Sequence, residues 1–458
     1  MSTTQQSRVV VHSKLTAVSS RPVKAGTTHN LTALDHAMGL HTLHVVFYYK
    51  HKLFSCFDLD PLRLSLSEAL SLHPPVMGRM AQKPDGNWEV KCNDAGVRVY
   101  MARVATTLDE WLRSADGSEE RLLTVWDDMP DDPSTWSPYR IQINEFEGGG
   151  AAIGVSCTHM HADPTCVTLL VKAWAETHRK QAIAHPLLVG ESSALGGRPV
   201  DQDMIKTKSA AAYYEAKSVA AKTPLPEKKM STATFKFSSA MIKQGLLQIH
   251  KTCPEANPFD LLAALFWTSI ARLKPPKSAT KHSLSICTDS RKKLGSGWHY
   301  GNALHFSMLS VPDVEEVENA NGLEHVAGAV HRHVWSQKEE DFWSGVDWFG
   351  SQKGEEGKFG AAFRMYGPEL TCVSMEHMNE KEPLMYAAMF EKDKKPAHVS
   401  YHVGNVEGEG FIMVMPASEG GLGRMVMVTL PEEELAQLCE AQPILSLKPT
   451  MLLSGKQA

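Results

Sequence analysis

Ala151-Ala-Ile-Gly-Val-Ser-Cys-Thr-His159-Met-His161-Ala-Asp163-Pro-Thr165 sets a buried-strand pattern, two histidines, a carboxylate and a helix start within one short stretch. Ala151 to Cys157 is an apolar run after Gly148-Gly149-Gly150, and Arg140 to Phe146 before it alternates in strand fashion, so the two read as a hairpin. Asp163 before Pro164 has the form of an N-cap with proline at the first helical position, where a missing N–H costs nothing. Val167, Leu170, Val171 and Trp174 then give the helix its apolar stripe. His159 therefore stands at a strand-to-helix corner.

A histidine of near-neutral pKa can take a proton from an alcohol, amine or thiol when its ring is held in one orientation and tautomer. Asp163 can orient that ring directly, or it can cap the helix and anchor the loop that carries His159; the helix N–H groups favour the second use. His159, His161 and Asp163 lack a fourth partner for a metal, and no second ligand cluster stands out. Ser156 lacks the Gly-x-Ser-x-Gly elbow of a serine triad. Two ordinary histidines in a turn is the plain alternative.

The 458 residues, 43% hydrophobic and 22% charged, suit two domains of ordinary size. A formal charge of -5, without a basic run, argues against nucleic acid as a partner. The eight cysteines are scattered with no Cys-x-x-Cys pair, which fits a reducing compartment. The first residues do not read as a secretory leader, and no apolar run approaches a membrane span.

Along the chain, Val9 to Val18 reads as a first strand, Thr32 three before Asp35 as a helix start, and Leu43 to Tyr49 as a second strand. A helix from Asp60-Pro61 ends at His73-Pro74-Pro75, after which Val76 to Met80 reads as extended. Trp88 to Lys91 and Gly96 to Val99 read as a hairpin across Cys92-Asn93-Asp94-Ala95. Gly190 to Lys229 loosens into a crossover linker. From Thr232 a second set follows: a strand to Phe237, a helix over 239–250, an apolar helix from Asn257-Pro258, and a buried strand, Leu284 to Cys287, leading into Asp289-Ser-Arg-Lys-Lys293. Strands return at Leu370 to Met375, Ala397 to Val403, Phe411 to Met415 and Arg424 to Leu430, and a helix begins at Pro431-Glu-Glu-Glu434. The domains expected are 1–190, a linker 191–231 and 232–458.

Leu66 to Met80, Cys92-Asn-Asp-Ala-Gly-Val97 and His159-x-x-x-Asp163 resemble the amino-terminal half of the plant BAHD acyltransferases. Phe259 to Trp267 and Tyr300-Gly-Asn302 are similar to later segments of that family. The resemblance implies an α/β fold of two similar mixed-sheet domains of the coenzyme A-dependent acyltransferase type, with the site in a channel between them. It implies His159 as general base, Asp163 in a structural or orienting role paired with Arg291, and Arg291, Lys292, Lys293, Tyr300 and Asn302 as substrate-binding candidates. No metal and no tightly bound cofactor are expected; acyl-CoA is the co-substrate if the protein turns over.

The family's Asp-Phe-Gly-Trp-Gly is absent: the aligned stretch is Phe390-Glu-Lys-Asp-Lys-Lys-Pro396. That loss, with Leu31 to His41, Val45 to Lys50, Tyr366-Gly-Pro-Glu-Leu-Thr371 and Val428 to Leu435, resembles the Eceriferum/Glossy wax branch. The branch implies a role in elongating very-long-chain fatty acids for cuticular wax beside a membrane-bound ketoacyl-CoA synthase. The place implied is the cytosolic face of the endoplasmic reticulum, or the cytoplasm. Two functions of different kind follow: an accessory to a condensing enzyme, in which His159 is dispensable, and an acyl-CoA-dependent transferase, in which it is not.

Overall fold

The computed structural model describes residues 7–455 apart from 54–59, 190–194, 196–199, 208, 221–223, 275–281, 296–297, 312–321 and 355. Two mixed sheets carry the fold. The first has six strands in the order Val9–Ala17, Val97–Thr107, Tyr139–Glu147, Ala151–Thr158, Thr42–Tyr49 and His398–Val403. Ala151–Thr158 is central and buried at every position, which explains its unbroken run of small and apolar residues. It pairs antiparallel with Tyr139–Glu147 across the expected glycine turn, where Gly148 and Gly149 take φ of 77° and 105°.

The second sheet has seven strands: Leu304–Val311, His282–Asp289, Thr371–Ser374, Phe411–Pro416, Arg424–Pro431, Met230–Phe237 and Thr450–Leu452. Helix Pro258–Leu273, capped by Asn257 and Asp260, is buried along nearly its whole length and centres a core of its own with Phe235, Ile286 and Val428. A larger core runs without a break from Val45 and Ile153 of the first sheet to Cys287, Val373 and Met413 of the second. The two halves are thus joined by packed side chains, and by strand His398–Val403, which leaves the second half to pair with Thr42–Tyr49 of the first.

Three local expectations need correction. Trp88–Lys91 does not form a hairpin with the strand after it; it pairs with Arg79–Gln82 and Thr28–Asn30, while Val97–Thr107 pairs with Val9–Ala17 and Tyr139–Glu147. Asp94 and Gly96, both at positive φ, turn the chain out of one sheet and into the other. Val76 and Met77 belong to a short helix, Pro74–Met77, because prolines at its first two positions preset helical φ; the extended segment begins only at Arg79. The linker holds helices Gln202–Thr207 and Ser209–Ala220. The second is the alanine-rich patch, and alanine is the strongest helix former. It is tied down by Tyr213 to Ser285 at 2.7 Å, by Tyr214 accepting from the Phe306 N–H at 3.0 Å, and by Lys217 paired with Glu369.

Candidate functional site

Strand Ala151–Thr158 delivers His159 against Thr42–Tyr49, and the His159 N–H donates to the His41 carbonyl at 3.0 Å. The Asn302 side chain donates to the His159 carbonyl at 2.8 Å, so the backbone is gripped on both sides. The ring is wholly buried. Its Nε2 lies 3.0 Å from the Tyr366 hydroxyl, and its Nδ1 has no hydrogen-bond partner among the described residues. Burial holds its pKa below the usual 6.5, the nearby Asp163 only partly opposing this, so the neutral ring is favoured. His161 faces the other way: its Nδ1 meets the Tyr300 hydroxyl at 2.7 Å, Tyr300 meets Tyr139 at 3.2 Å, and burial lowers its pKa to about 3.

Asp163 is the N-cap of helix Pro164–His178, accepting from the Cys166 N–H at 3.0 Å through Oδ1. Its Oδ2 accepts from Arg291 Nη1 at 2.8 Å and from the Ala303 N–H at 3.1 Å. No hydrogen bond joins Asp163 to His159: the carboxylate caps the helix and anchors the loop. Arg291 is as deeply buried as its partner; it also pairs with Asp289 and donates to the carbonyls of His299 and Gly301 at 3.0 and 2.6 Å. Gly301 has φ of 118°, and a Cβ there would lie 2.9 Å from His299 Nε2, so only glycine lets this turn close. Asn302 and its own N–H both donate to Asp35 Oδ1, at 2.8 and 2.9 Å. Asp35 in turn completes the capping box with Thr32.

The expected residues therefore separate into two groups. His159, Asp163, Arg291, Tyr300 and Asn302 interlock in one buried cluster. Lys292 and Lys293 lie outside it: Lys292 is half exposed, 3.8 Å from Glu380, and Lys293 donates to the Gln337 carbonyl at 3.2 Å. Both line a cavity of about 400 Å3 with Asp289, Ser374, Trp335 and His377. Thr165 bridges cavity and cluster, donating to Asp289 at 2.7 Å and lying 2.8 Å from His377. Sequence reasoning missed Tyr366, His41, Asp35 and Asp289 as parts of the cluster. Asp35 had a signal, the capping box; Tyr366 had none that placed it on a histidine 207 residues earlier.

The stretch that stands where the family has Asp-Phe-Gly-Trp-Gly is an exposed turn on a buried root. Phe390 packs edge-on against Trp174 at 4.9 Å and against Tyr49 at 5.8 Å. Glu391 and Lys394 pair across the turn, Asp393 sits at φ of 61°, and residues 392–395 are exposed. Among the described residues no group of three or more His, Cys, Asp or Glu side chains could hold a metal, and no helix is long and apolar enough to cross a membrane.

Two mixed sheets sharing a core, with a His-x-x-x-Asp corner locked by a buried arginine, define a protein of the coenzyme A-dependent acyltransferase fold. The solved structures it resembles bear this out. Vinorine synthase superposes with a TM-score of 0.68 at 18% identity, covering 96% of this chain and 98% of that one. TRI101 of F. sporotrichioides, complexed with Coenzyme A and T-2, gives 0.64 at 13% identity over 94% of this chain and all of that one. The chain belongs to the Transferase family, the BAHD proteins, whose model matches residues 7–443. It is similar to Protein ECERIFERUM 2 of Arabidopsis thaliana, 25% identical over 90% of this chain and 92% of that one. It is also similar to a hydroxycinnamoyltransferase of Narcissus pseudonarcissus, 27% identical over 86% of this chain and 90% of that one.

Proposed function

We propose that this protein supports very-long-chain fatty acid elongation for cuticular wax, working beside a ketoacyl-CoA synthase at the cytosolic face of the endoplasmic reticulum. The observation that carries this reading is the state of His159: fully buried, with the Tyr366 hydroxyl on the nitrogen that would face an acceptor. A general base needs that nitrogen within reach of the proton it abstracts. Likeness to Protein ECERIFERUM 2 supplies the biological setting. In this reading the interlocked cluster is a scaffold that joins the halves, and the protein acts on its partner by contact.

A second reading is favoured by the intact loop and its Arg291 lock. It makes the protein an acyl-CoA-dependent transferase whose Tyr366 swings aside. His159 Nε2 then takes the proton of an acceptor hydroxyl or amine, the acceptor attacks the thioester carbonyl, and collapse of the tetrahedral intermediate expels the coenzyme A thiolate, which recovers the proton. Lys292 and Lys293, at the mouth of their cavity, are the candidates for the coenzyme A phosphates. Tyr300, through His161, and Asn302, through the His159 carbonyl, act as positioning residues.

The deciding experiment is the fatty-acid chain-length profile of yeast expressing a wax-type condensing enzyme with this protein, intact or carrying His159→Ala. Equal lengthening by both forms is expected. Lengthening by the intact form alone overturns the accessory reading and puts acyl transfer at His159 into the mechanism.

A further inference from the structure

His41 spends every polar group it has, and its ring contacts fix where its proton sits. Its Nδ1 lies 3.0 Å from the Gly404 carbonyl, an atom that can only accept, so Nδ1 carries the hydrogen. Its Nε2 takes the Met365 N–H at 3.0 Å, a group that can only donate, so Nε2 carries the lone pair. The ring is therefore neutral and in one tautomer, in keeping with the burial that lowers its pKa to about 3. The His41 carbonyl, in turn, accepts the His159 N–H. A single residue thus grips the backbone of His159 and the backbone just before Tyr366, 207 residues further on.

Tyr366 is seated from both sides. Before it stands the Met365 N–H on His41, and the His41 and Tyr366 rings meet edge to face at 5.1 Å. After it, the Lys217 ammonium donates to the Gly367 carbonyl at 2.9 Å. The hydroxyl placed in this way has one acceptor among the described residues, His159 Nε2. Burial pushes the phenol well above its usual 10.0, so it keeps its proton and donates it to the acceptor in reach. His159 Nε2 therefore presents its lone pair, and Nδ1 carries the hydrogen. Burial lowers the pKa of His159, and the strongest influence opposing it is the residue's own carbonyl, which only Nδ1 of a histidine ring can approach. Both sides of the ring point to the same tautomer.

We infer that His41 is a positioning residue that selects the tautomer of His159: by holding the Met365 N–H it keeps the Tyr366 hydroxyl on Nε2, and the hydroxyl keeps the lone pair there. The order His41, Tyr366, His159 rests on hydrogen-bond chemistry alone and stands under either reading of function. Under the transferase reading it delivers a ring whose Nε2 is ready to accept a proton once the hydroxyl moves aside.

Nitrogen NMR of the full-length protein, isotope-labelled at its histidine rings, tests this above pH 6.5, where the neutral ring of His159 prevails. Among the 21 histidines, the His159 signals are those that vanish in His159→Gln. A protonated Nδ1 is expected, with an unprotonated Nε2 shifted by the hydrogen bond it accepts. Tyr366→Phe removes the hydroxyl and moves the Nε2 signal away from that position. His41→Asn, whose amide still reaches the Gly404 carbonyl but not Met365, moves it the same way. The double variant moves it no further than Tyr366→Phe alone, because both changes act through one hydroxyl. His41→Gln, whose oxygen can still accept the Met365 N–H, moves it less. A histidine that only tied the chains together would cost stability on His41→Asn and leave the His159 signals of the folded protein in place; that result overturns the inference, as does a protonated Nε2 in the unaltered protein. Should His41→Asn fail to fold, Tyr366→Phe leaves the His41 hydrogen bonds intact, and unmoved His159 signals in that variant overturn the inference by themselves. The readout is the ring itself, so the chain-length result in yeast neither rescues nor removes it.

Discussion

The two ends of the His159 to Asp163 loop are built differently. At Asp163 the observed partners, the Cys166 and Ala303 N–H groups and Arg291, come from three separate segments of chain. At His159 one ring nitrogen meets a hydroxyl and the other has no hydrogen-bond partner among the described residues. A fully satisfied buried charge pair is a structural device, costly to break and inert. A buried ring with an unpaired nitrogen is held in place by its surroundings and keeps an unspent capacity for hydrogen bonding.

Breaking the aspartate end has the largest expected effect. Arg291→Met strands two buried carboxylates, Asp163 and Asp289, and lowers unfolding stability by about 3–5 kcal/mol, read by denaturant titration, whereas Asp163→Ala leaves Arg291 paired with Asp289 and costs less. A loss under about 1 kcal/mol would mean that the lock is ornamental.

Acid sharpens the contrast next. Burial lowers the pKa values of His41 and His161 to about 3 and holds that of His159 below 6.5. A histidine whose folded pKa lies below its unfolded value makes the unfolded state bind more protons, so stability is full above pH 6.5 and falls as pH drops toward the folded value. The slope approaches about 1.4 kcal/mol per pH unit for each such histidine, and the thermal midpoint should fall between pH 6.5 and 4. A midpoint flat across that range would show that these rings are already charged in the folded protein.

The smallest effect belongs to Tyr366→Phe, which removes the hydroxyl on His159 Nε2 and should cost about 1–2 kcal/mol. Its value lies in its sign on function. If His159 is a working base, freeing its nitrogen raises acyl-transfer rate or leaves it unchanged; a scaffold histidine yields no activity in either form.

What could be read from residues alone follows the range of the interactions. Asp163-Pro164, the Thr32 and Asp35 capping box and the Asn257-Pro258 start are settled within four residues, and each cap forms as its spacing implies. Trp88–Lys91 becomes the middle strand of a three-stranded sheet, between Thr28–Asn30 and Arg79–Gln82, and turn residues at 92–95 carry no information about those partners. The Arg291 pairing with Asp163 spans 128 residues: the basic turn points to an anion, either Asp163 or coenzyme A phosphates, and only the resemblance chooses Asp163. Tyr366 is harder still: a tyrosine before Gly-Pro signals a turn, and nothing local says that the turn points at a histidine. The linker is the instructive miss, since its alanines were in plain view and pointed to helix.

Strand His398–Val403 gives the fold a definite order of events during synthesis. The first sheet is encoded almost entirely before residue 160, yet Thr42–Tyr49 keeps one side unpaired until residue 403 has been made. Throughout translation of the intervening chain, the nascent first half carries an open, apolar strand edge, the kind of surface that chaperones cover and that aggregates seed from. The ribosome therefore releases a protein whose first half cannot be completed before its second, and a fragment ending in the linker is a client for quality control rather than a domain.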